Sequence, residues 1–145
     1  MLKIIAIGMK TDYDSFIQNY EKRLKGCFAI KWVKIDYSGA KDNLARNEES
    51  KEIFKHIRNE DYVILLDERG KELDNYELCD KLVKNHNIVL IIGGPYGVNE
   101  ELRNRANFMW KLGKLILPYE IVRLILTEQI YRSQCIFLNH PYHHK

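Results

Sequence analysis

Residues 88–97 read IVLIIGGPYG, and this stretch decides the fold. Five aliphatic residues bounded by turn formers are typical of a β-strand that is covered on both faces. Three glycines among the next five residues allow positive φ angles and the close approach of another group. Ligands of open parallel sheets bind beyond the carboxyl ends of the strands, so this loop is a candidate binding site. A plain tight turn is the alternative interpretation.

The residues that follow the loop limit what the ligand can be. Asn99 can cap a helix whose first turn contains Glu100 and Glu101. Helix starts that bind phosphate leave their amides free and lack neighbouring carboxylates. The loop also has neither the lysine and hydroxyl of a P-loop nor the G-x-G-x-x-G spacing. We therefore expect a ligand that is held by backbone contacts and apolar packing and has no pyrophosphate.

Length and composition predict one globular domain over residues 1–145, since 46% of the chain is hydrophobic and 30% is charged. No apolar run approaches the roughly 20 residues that cross a bilayer, and the first residues resemble a strand more than a signal peptide. Three dispersed cysteines form no C-x-x-C pair and are expected to be reduced apolar fillers. These features predict a cytoplasmic protein that has no membrane partner.

Positive charge is concentrated in the last third of the chain. The formal net charge is +3, and residues 102–145 contain seven Lys or Arg but only two Glu. A basic region on a nearly neutral body favours an anionic partner, for which RNA is the natural candidate. A solvated charged surface is the alternative that charge alone leaves open.

Strand and helix patterns alternate along the whole sequence. Apolar or alternating runs predict strands at residues 2–7, 28–35, 62–66, 88–92 and 114–117. Helical spacing predicts helices from Asp12 or Asp14 to Lys25, and over about 44–57, 75–83, 99–108 and 119–138. This alternation predicts an α/β fold that has a mostly parallel sheet with helices on both faces.

Two of the predicted helices carry further expectations. The second should turn its apolar residues inward, namely Leu44, Ile53, Phe54 and Ile57. The last is apolar almost all round, and a helix of that kind is buried on more than one side. In so small a domain this predicts a partner subunit. The polar side of the last helix carries an i, i+4 pair, Glu128 and Arg132.

Short motifs along the chain resemble those of one protein family. In order they are KIIAIG at 3–8, LDERGK at 66–71, IGGPYG at 92–97, LP at 117–118, Arg123, EQIYR at 128–132 and NHPYH at 139–143. Each motif is unspecific alone. Together, and over essentially the whole chain, they resemble the ribosomal RNA large-subunit methyltransferase H proteins of the SPOUT superfamily.

The resemblance implies a homodimeric enzyme that uses S-adenosyl-L-methionine to methylate N3 of a pseudouridine. The implied substrate is a stem-loop of large-subunit (23S) rRNA within the assembled ribosome. The C-terminal part of the fold is implied to be threaded as a trefoil knot that forms the cofactor site. Carried over by position, the implied cofactor contacts are Leu66, Gly93, Leu112, Gly113, Lys114, Leu115, Ile116 and Leu117. Without the resemblance, residues 115–117 are interpreted as ordinary core.

The C-terminal residues are implied to act on the substrate, because a terminal Tyr-His-Arg/Lys segment in the family is linked to substrate binding and activity. We expect Tyr142 and His143 to hold the target nucleotide by stacking and hydrogen bonding, with His143 also a candidate general base. His144 stands where many relatives have Arg or Lys, and Lys145 follows it. The predicted RNA contacts are Arg103, Arg105, Arg123, Arg132, His144 and Lys145.

Several alternatives stay open at this point. Arg123 and Arg132 lie on the apolar last helix and equally suit a dimer interface. Asp67 and Arg69 are either turn and ion-pair residues or neighbours of the cofactor. The histidines near the C-terminus have no carboxylate or thiol beside them, so no metal is predicted. The competing function is a non-catalytic RNA- or ribosome-binding α/β protein, while the two glutamates after the loop disfavour a flavodoxin-like nucleotide-binding domain.

Overall fold

The computed structural model describes residues 1–144, in which five strands alternate with five α-helices. The strands are β1 Leu2–Ile7, β2 Ile30–Ile35, β3 Tyr62–Lys71, β4 Ile88–Ile92 and β5 Phe108–Trp110. The helices are α1 Asp14–Glu21, α2 Asp42–Phe54, α3 Asn75–Lys84, α4 Glu100–Arg105 and α5 Tyr119–Phe137. None of the helices in this range combines the length and the apolar character that crossing a membrane would require.

The strands form one sheet in the order β2-β1-β4-β3-β5, and every neighbouring pair is parallel. β4 lies at the centre, and all of its residues are buried, as its continuous aliphatic run predicts. Because the strands are parallel, the loops that follow them meet at one edge of the sheet. The predicted α/β class and parallel sheet are confirmed.

Alternate strand residues feed two separate hydrophobic layers, one on each face of the sheet. One layer packs Leu78 of α3 and Ile130 of α5 against the sheet. The other packs Ile53 of α2 and Leu102 of α4 against the opposite face. The prediction of helices on both faces is therefore also confirmed.

The last strand lies earlier in the chain than the sequence pattern predicts. The helix predicted over 99–108 is present as α4 but ends early, at Arg105, and Phe108–Trp110 forms β5, so the strand predicted at 114–117 is wrong. β5 pairs with β3, and Asn107 extends the pairing because its N–H donates to the Val63 carbonyl at 2.9 Å. A strand of three residues is too short to show an alternating pattern. Residues 111–118 are consequently a loop.

The inward face predicted for the second helix is confirmed at Ile53 and Phe54, and Ile57 just beyond α2 packs against the same hydrophobic layer, but the prediction is wrong at Leu44. Leu44 is 59% exposed, while Ala45, Glu49 and Ile53 are buried. Residues four apart lie on one helical face, so positions 45, 49 and 53 form the buried stripe.

Some element boundaries also differ from prediction. α1 ends at Glu21, β2 begins only at Ile30 because a 3-10 turn at Gly26–Phe28 precedes it, and β3 continues to Lys71.

α5 is covered by other helices of the same chain along much of its length. α1 and α3 pack against it, and Leu126 is fully buried. The Gln134 side chain accepts a hydrogen bond from the Lys25 N–H at 2.7 Å and donates to the Arg23 carbonyl at 2.7 Å. Much of the apolar surface that predicts a partner subunit is therefore buried within the monomer, and the homodimer stays a prediction.

Candidate functional site

A cleft of about 510 Å³ opens at the edge of the sheet where β4 and β5 end. Its walls are residues 92–98 after β4, residues 110–117 after β5, and residues 66–68 of β3. The volume is within the range of small-molecule sites, which is roughly 300–1,000 Å³. The cleft brings together all the residues predicted to contact a cofactor: Leu66, Gly93, Leu112, Gly113, Lys114, Leu115, Ile116 and Leu117.

The glycine loop after β4 has two positions that need glycine. A Cβ atom at Gly94 would lie 2.6 Å from Oε1 of Glu49 and 3.2 Å from Cγ2 of Ile7. Gly97 has a φ of +79°, which side chains disfavour, and its N–H donates to the Gly94 carbonyl at 3.0 Å. Glycine therefore lets the loop fold back closely between the cleft and α2.

α2 holds the glycine loop from behind through polar contacts. Arg46 Nε donates to the Tyr96 carbonyl at 2.8 Å, and the hydroxyl of Ser50 accepts from the Asn99 N–H at 3.1 Å. Asn99 in turn caps α4, since its Oδ1 accepts from the Leu102 N–H at 3.0 Å. The cleft wall is thus fixed by side chains outside the loop itself.

Two carboxylates beside the cleft, Asp67 and Glu100, are paired with arginines. Arg103 Nε lies 2.8 Å from Asp67 Oδ2, and its Nη1 lies 2.8 Å from Glu100 Oε1. Arg69 Nη1 also contacts Glu100 Oε1, at 2.7 Å, and this bond holds the pKa of Glu100 below its usual value. Burial alone would lower the pKa of Arg103, but the bonds to the two carboxylates raise it overall. The helix start is therefore less anionic than its sequence indicates.

The loop after β5 exposes two large aliphatic side chains at the cleft. Leu115 is 81% exposed and Ile116 is 93% exposed, so the interpretation of these residues as ordinary core is wrong. Leu112, by contrast, packs against the hydrophobic layer formed with α3 and α5. Adjacent exposed aliphatic residues beside a cleft are typical of surfaces that bind a ligand or another protein.

The C-terminal residues form a hydrogen-bonded cluster with α5. Glu128 Oε1 accepts from Arg132 Nε at 3.0 Å, from Arg132 Nη2 at 2.6 Å and from the Tyr142 hydroxyl at 2.9 Å. Arg132 Nη1 lies 3.1 Å from Nδ1 of His143. Burial and the bond to Glu128 raise the pKa of Tyr142 well above its usual value. We call Glu128, Arg132, Tyr142 and His143 the C-terminal cluster.

Aromatic rings frame the C-terminal cluster. The Tyr142 ring packs edge-on against Tyr131 with centroids 4.8 Å apart, and His143 packs edge-on against Tyr76 at 5.3 Å. His140 is used locally, because its Nδ1 accepts from the Tyr142 N–H at 3.2 Å. Within residues 1–144, no group of three or more His, Cys, Asp or Glu side chains is arranged to hold a metal ion.

The remaining predicted RNA contacts have different environments. Arg123 is 1% exposed, and its Nη2 donates to the carbonyls of Ile7, at 2.9 Å, and Gly8. A phosphate contact is wrong for this residue, because its guanidinium lies inside the chain, where burial lowers its pKa. Arg105 is partly exposed and donates to two backbone carbonyls at 2.9 Å. His144 is exposed, and Lys145 lies outside the described residues.

Sequence reasoning missed Glu49, the residue directly behind the glycine loop. Its side chain is buried, although the sequence pattern marks α2 as a polar helix and assigns only apolar residues to its inward face. The available signal was the spacing of Ala45, Glu49 and Ile53, which places a carboxylate on the same stripe as two apolar residues. A charged residue on such a stripe indicates a buried polar contact.

Comparison with known proteins identifies the family. The model of the family described as "Predicted SPOUT methyltransferase" matches residues 1–143. Proteins named "Ribosomal RNA large subunit methyltransferase H" are similar over nearly the full length of both chains. The relative from Christiangramia forsetii is 34% identical over 99% of each chain. The relative from Methylobacillus flagellatus is 33% identical over 98% of this chain and 97% of its own. The relative from Gloeobacter violaceus is 32% identical over 99% of this chain and 98% of its own. This chain therefore belongs to the SPOUT family of methyltransferases.

Proposed function

We propose that this chain transfers a methyl group from S-adenosyl-L-methionine to N3 of a pseudouridine in a stem-loop of large-subunit rRNA. We further propose that it acts on the assembled ribosome. The observation that carries the proposal is the cleft, which is lined by every residue that the family resemblance assigns to the cofactor. Relatives that match nearly end to end have a name that states ribosomal RNA methylation. When bound, the cofactor supplies an electrophilic methyl group on a sulfonium sulfur.

The cleft residues fit a cofactor that has no phosphate. Leu66, Leu112 and Trp110 offer apolar surface among the residues that line the cleft. The nearby carboxylates Asp67 and Glu100 are ion-paired, so they do not repel the carboxylate of a bound amino acid moiety. Leu66, Gly93 and residues 112–117 are the proposed cofactor contacts.

The substrate determines what the C-terminal cluster must do. An imide nitrogen such as N3 is a good nucleophile once it has lost its proton. The chain must therefore hold the base in position and stabilise the negative charge that develops on it. Arg132 is fixed by Glu128 and carries a permanent positive charge, which suits this task.

The contact between Arg132 and His143 selects the form of the imidazole. Arginine only donates hydrogen bonds, so Nδ1 of His143 must accept, and its proton is then on Nε2. A histidine in this form donates a hydrogen bond to the imide instead of taking its proton. We therefore favour charge stabilisation over the general-base role for His143. Tyr142 donates the hydrogen of its hydroxyl to Glu128, which holds that carboxylate in place, and offers its ring to the nucleotide.

A second copy of this chain is proposed to complete the site. The members of the C-terminal cluster are not among the residues that line the cleft of the described chain, although transfer requires the nucleotide to reach the cofactor. Exposed apolar residues suited to a subunit interface lie beside the cleft and at the end of α5: Leu115, Ile116, Phe137 and Leu138. We infer a homodimer in which the cluster of one protomer faces the cleft of its partner.

We further infer that residues 1–145 act as one SPOUT domain in the cytoplasm. Family membership implies that its C-terminal part is threaded as a trefoil knot around the cofactor site. The proposed RNA contacts are Arg105, Arg132, His144 and Lys145. Arg103 is paired with two carboxylates at the cleft wall, whereas Arg132 is paired with one, so we propose that Arg103 shapes the cleft instead.

Mass mapping of rRNA from cells with and without this protein tests the activity. We expect one methylated pseudouridine in a large-subunit stem-loop to be lost without the protein and restored when it is supplied again. Calorimetry with S-adenosyl-L-methionine tests the cofactor separately, since a non-catalytic RNA-binding protein should give no heat of binding. An unchanged modification map together with no heat of binding would contradict the proposed function.

A further inference from the structure

The structure contains a buried carboxylate that the proposed mechanism does not use. Glu49 of α2 is 4% exposed, and its Oε2 accepts a hydrogen bond from the Ser38 N–H at 3.2 Å. Its Oε1 is fully buried and has no hydrogen-bond partner among the described residues. Leaving a buried carboxylate oxygen unpaired is unfavourable, so this arrangement requires an explanation.

The unpaired oxygen lies directly behind the wall of the cleft. A Cβ atom at Gly94 would be 2.6 Å from it, and Gly94 itself lines the cleft. Since residue 94 has no side chain, the carboxylate approaches the wall as closely as the backbone allows. The Glu49 carboxylate therefore faces the cleft across the main chain of Gly94.

The other carboxylates near this wall are already compensated. Asp67 is paired with Arg103, and Glu100 is paired with Arg103 and Arg69. Glu68 also lines the cleft, but its side chain is exposed, so water screens its charge. Among the described residues at this wall, Glu49 is the buried carboxylate that has no cationic partner.

We infer that Glu49 is a specificity-determining residue whose buried carboxylate makes the cleft prefer a cofactor that is cationic at sulfur. The inference rests on the proposed function. S-adenosyl-L-methionine and its product S-adenosylhomocysteine differ by one methyl group and by the positive charge on sulfur. An unpaired carboxylate in a medium of low dielectric constant attracts a nearby cation much more strongly than an exposed one does. After transfer this attraction is absent, so the product is held less tightly than the cofactor.

Calorimetry on the full chain tests the inference by comparing three ligands. S-adenosyl-L-methionine and sinefungin carry a positive charge, at sulfur and at the amine that replaces the methylsulfonium respectively, whereas S-adenosylhomocysteine is neutral there. In Glu49→Gln we expect the affinity for both cationic ligands to fall about tenfold, because a charge interaction at an effective dielectric constant near 20 is lost. The affinity for the neutral product should change less than about twofold.

Two further variants separate charge from packing. Glu48→Gln removes the same charge from the exposed neighbouring position of α2 and should leave all three affinities unchanged. Glu49→Asp keeps the charge and should retain more of the preference for the cationic ligands than Glu49→Gln does. Thermal unfolding of each variant checks that it is folded before its affinities are compared.

The inference and the proposed function fail in different ways. If the wild-type chain binds none of the three ligands, the proposed function is wrong. If the wild type binds them but Glu49→Gln weakens all three equally, Glu49 only positions the loop and the inference is overturned. A Glu49→Asp variant that loses the wild-type preference for the cationic ligands altogether would also overturn it, and this comparison with the wild type remains available if the Gln variant is unstable.

Discussion

The cleft and the C-terminal cluster belong to one chain but are built in opposite ways. The cleft is formed by main chain after β4 and β5, and its Leu115 and Ile116 are exposed. In the cluster, Glu128 accepts from Arg132 and Tyr142, so the polar groups are bonded to one another before any ligand arrives. The cleft is therefore open to a ligand, whereas the cluster is preorganised.

This difference implies that binding and catalysis respond to different substitutions. Groups that are preorganised around developing charge act in the transition state and change kcat. Main-chain surface and apolar walls contact the cofactor before and during transfer, so changes there alter its affinity. The two regions should consequently be separable by measuring cofactor affinity and turnover on the same variants.

The largest effect is expected from removing the end of the cluster. Deletion of residues 143–145 should lower methyl transfer by about 100-fold or more, because groups that stabilise transition-state charge are lost. Calorimetric affinity for S-adenosyl-L-methionine should stay within about twofold of the wild type, since none of the deleted residues that the structure describes lines the cleft. A parallel collapse of cofactor affinity would show that the two regions do not divide the work in this way.

The next largest effect is expected at the cleft, where Gly94→Ala places a methyl group against Glu49. Because that Cβ would lie 2.6 Å from Oε1, the loop must shift, and we expect cofactor affinity to fall more than tenfold. Overpacking of this kind should also lower the free energy of unfolding by about 1–3 kcal/mol. Calorimetry and denaturant unfolding measure the two effects.

A matched control for Gly94→Ala is Gly39→Ala. Gly39 has a φ of +79°, and a Cβ atom there would meet no other atom within 4 Å, so alanine introduces backbone strain without touching the cleft. It should lower stability while leaving cofactor affinity unchanged. Equal losses of affinity in the two variants would mean that general destabilisation, and not the cleft wall, controls binding.

The sequence predicts the sheet well because strong local patterns specify it. The aliphatic runs of β1 and β4, and the long apolar α5, lie where periodicity predicts them. β5 is missed because its three residues pair with β3 through contacts distant in sequence, and local patterns carry no information on such pairing. The exposed Leu115 and Ile116 are misinterpreted as core for a related reason, since an apolar residue at a ligand or subunit surface looks like a buried one.

The site is predicted unevenly for physical reasons. The glycine pattern locates the loop after β4, whereas Leu66 and residues 112–117 are located only through the family resemblance, and all the residues proposed to contact the cofactor line one cavity. Arg123 is misassigned because charge alone does not distinguish a surface arginine from one buried against carbonyls. Glu49 is missed because its role depends on Gly94, which is 45 residues away in sequence.

A smaller effect is expected from Arg132→Lys, which keeps the charge of the cluster but removes its geometry. Lysine cannot contact Glu128 through two nitrogens and His143 through a third, as the guanidinium does. We expect kcat to fall about tenfold, since a hydrogen bond to a charged group contributes about 1.5 kcal/mol or more. Arg58→Lys, at an exposed arginine near the start of β3, should leave kcat unchanged. A rise in the cofactor Kd with unchanged kcat would contradict the assignment.

The smallest effect, in the salt dependence of RNA binding, distinguishes two arginines that sequence reasoning treats alike. Arg105 donates only to neutral acceptors, the Asn107 side chain and two backbone carbonyls, so its positive charge is available to a phosphate. Arg103 is neutralised by Asp67 and Glu100.

In Arg105→Gln the slope of log affinity against log salt should flatten by about 0.7 to 0.9, the value for one phosphate contact. In Arg103→Gln the slope should not change, while cofactor affinity falls because the cleft wall loses its ion pair. If the two variants exchange these effects, RNA crosses the cleft wall itself, and the separation between cofactor binding and substrate binding would have to be drawn elsewhere in the chain.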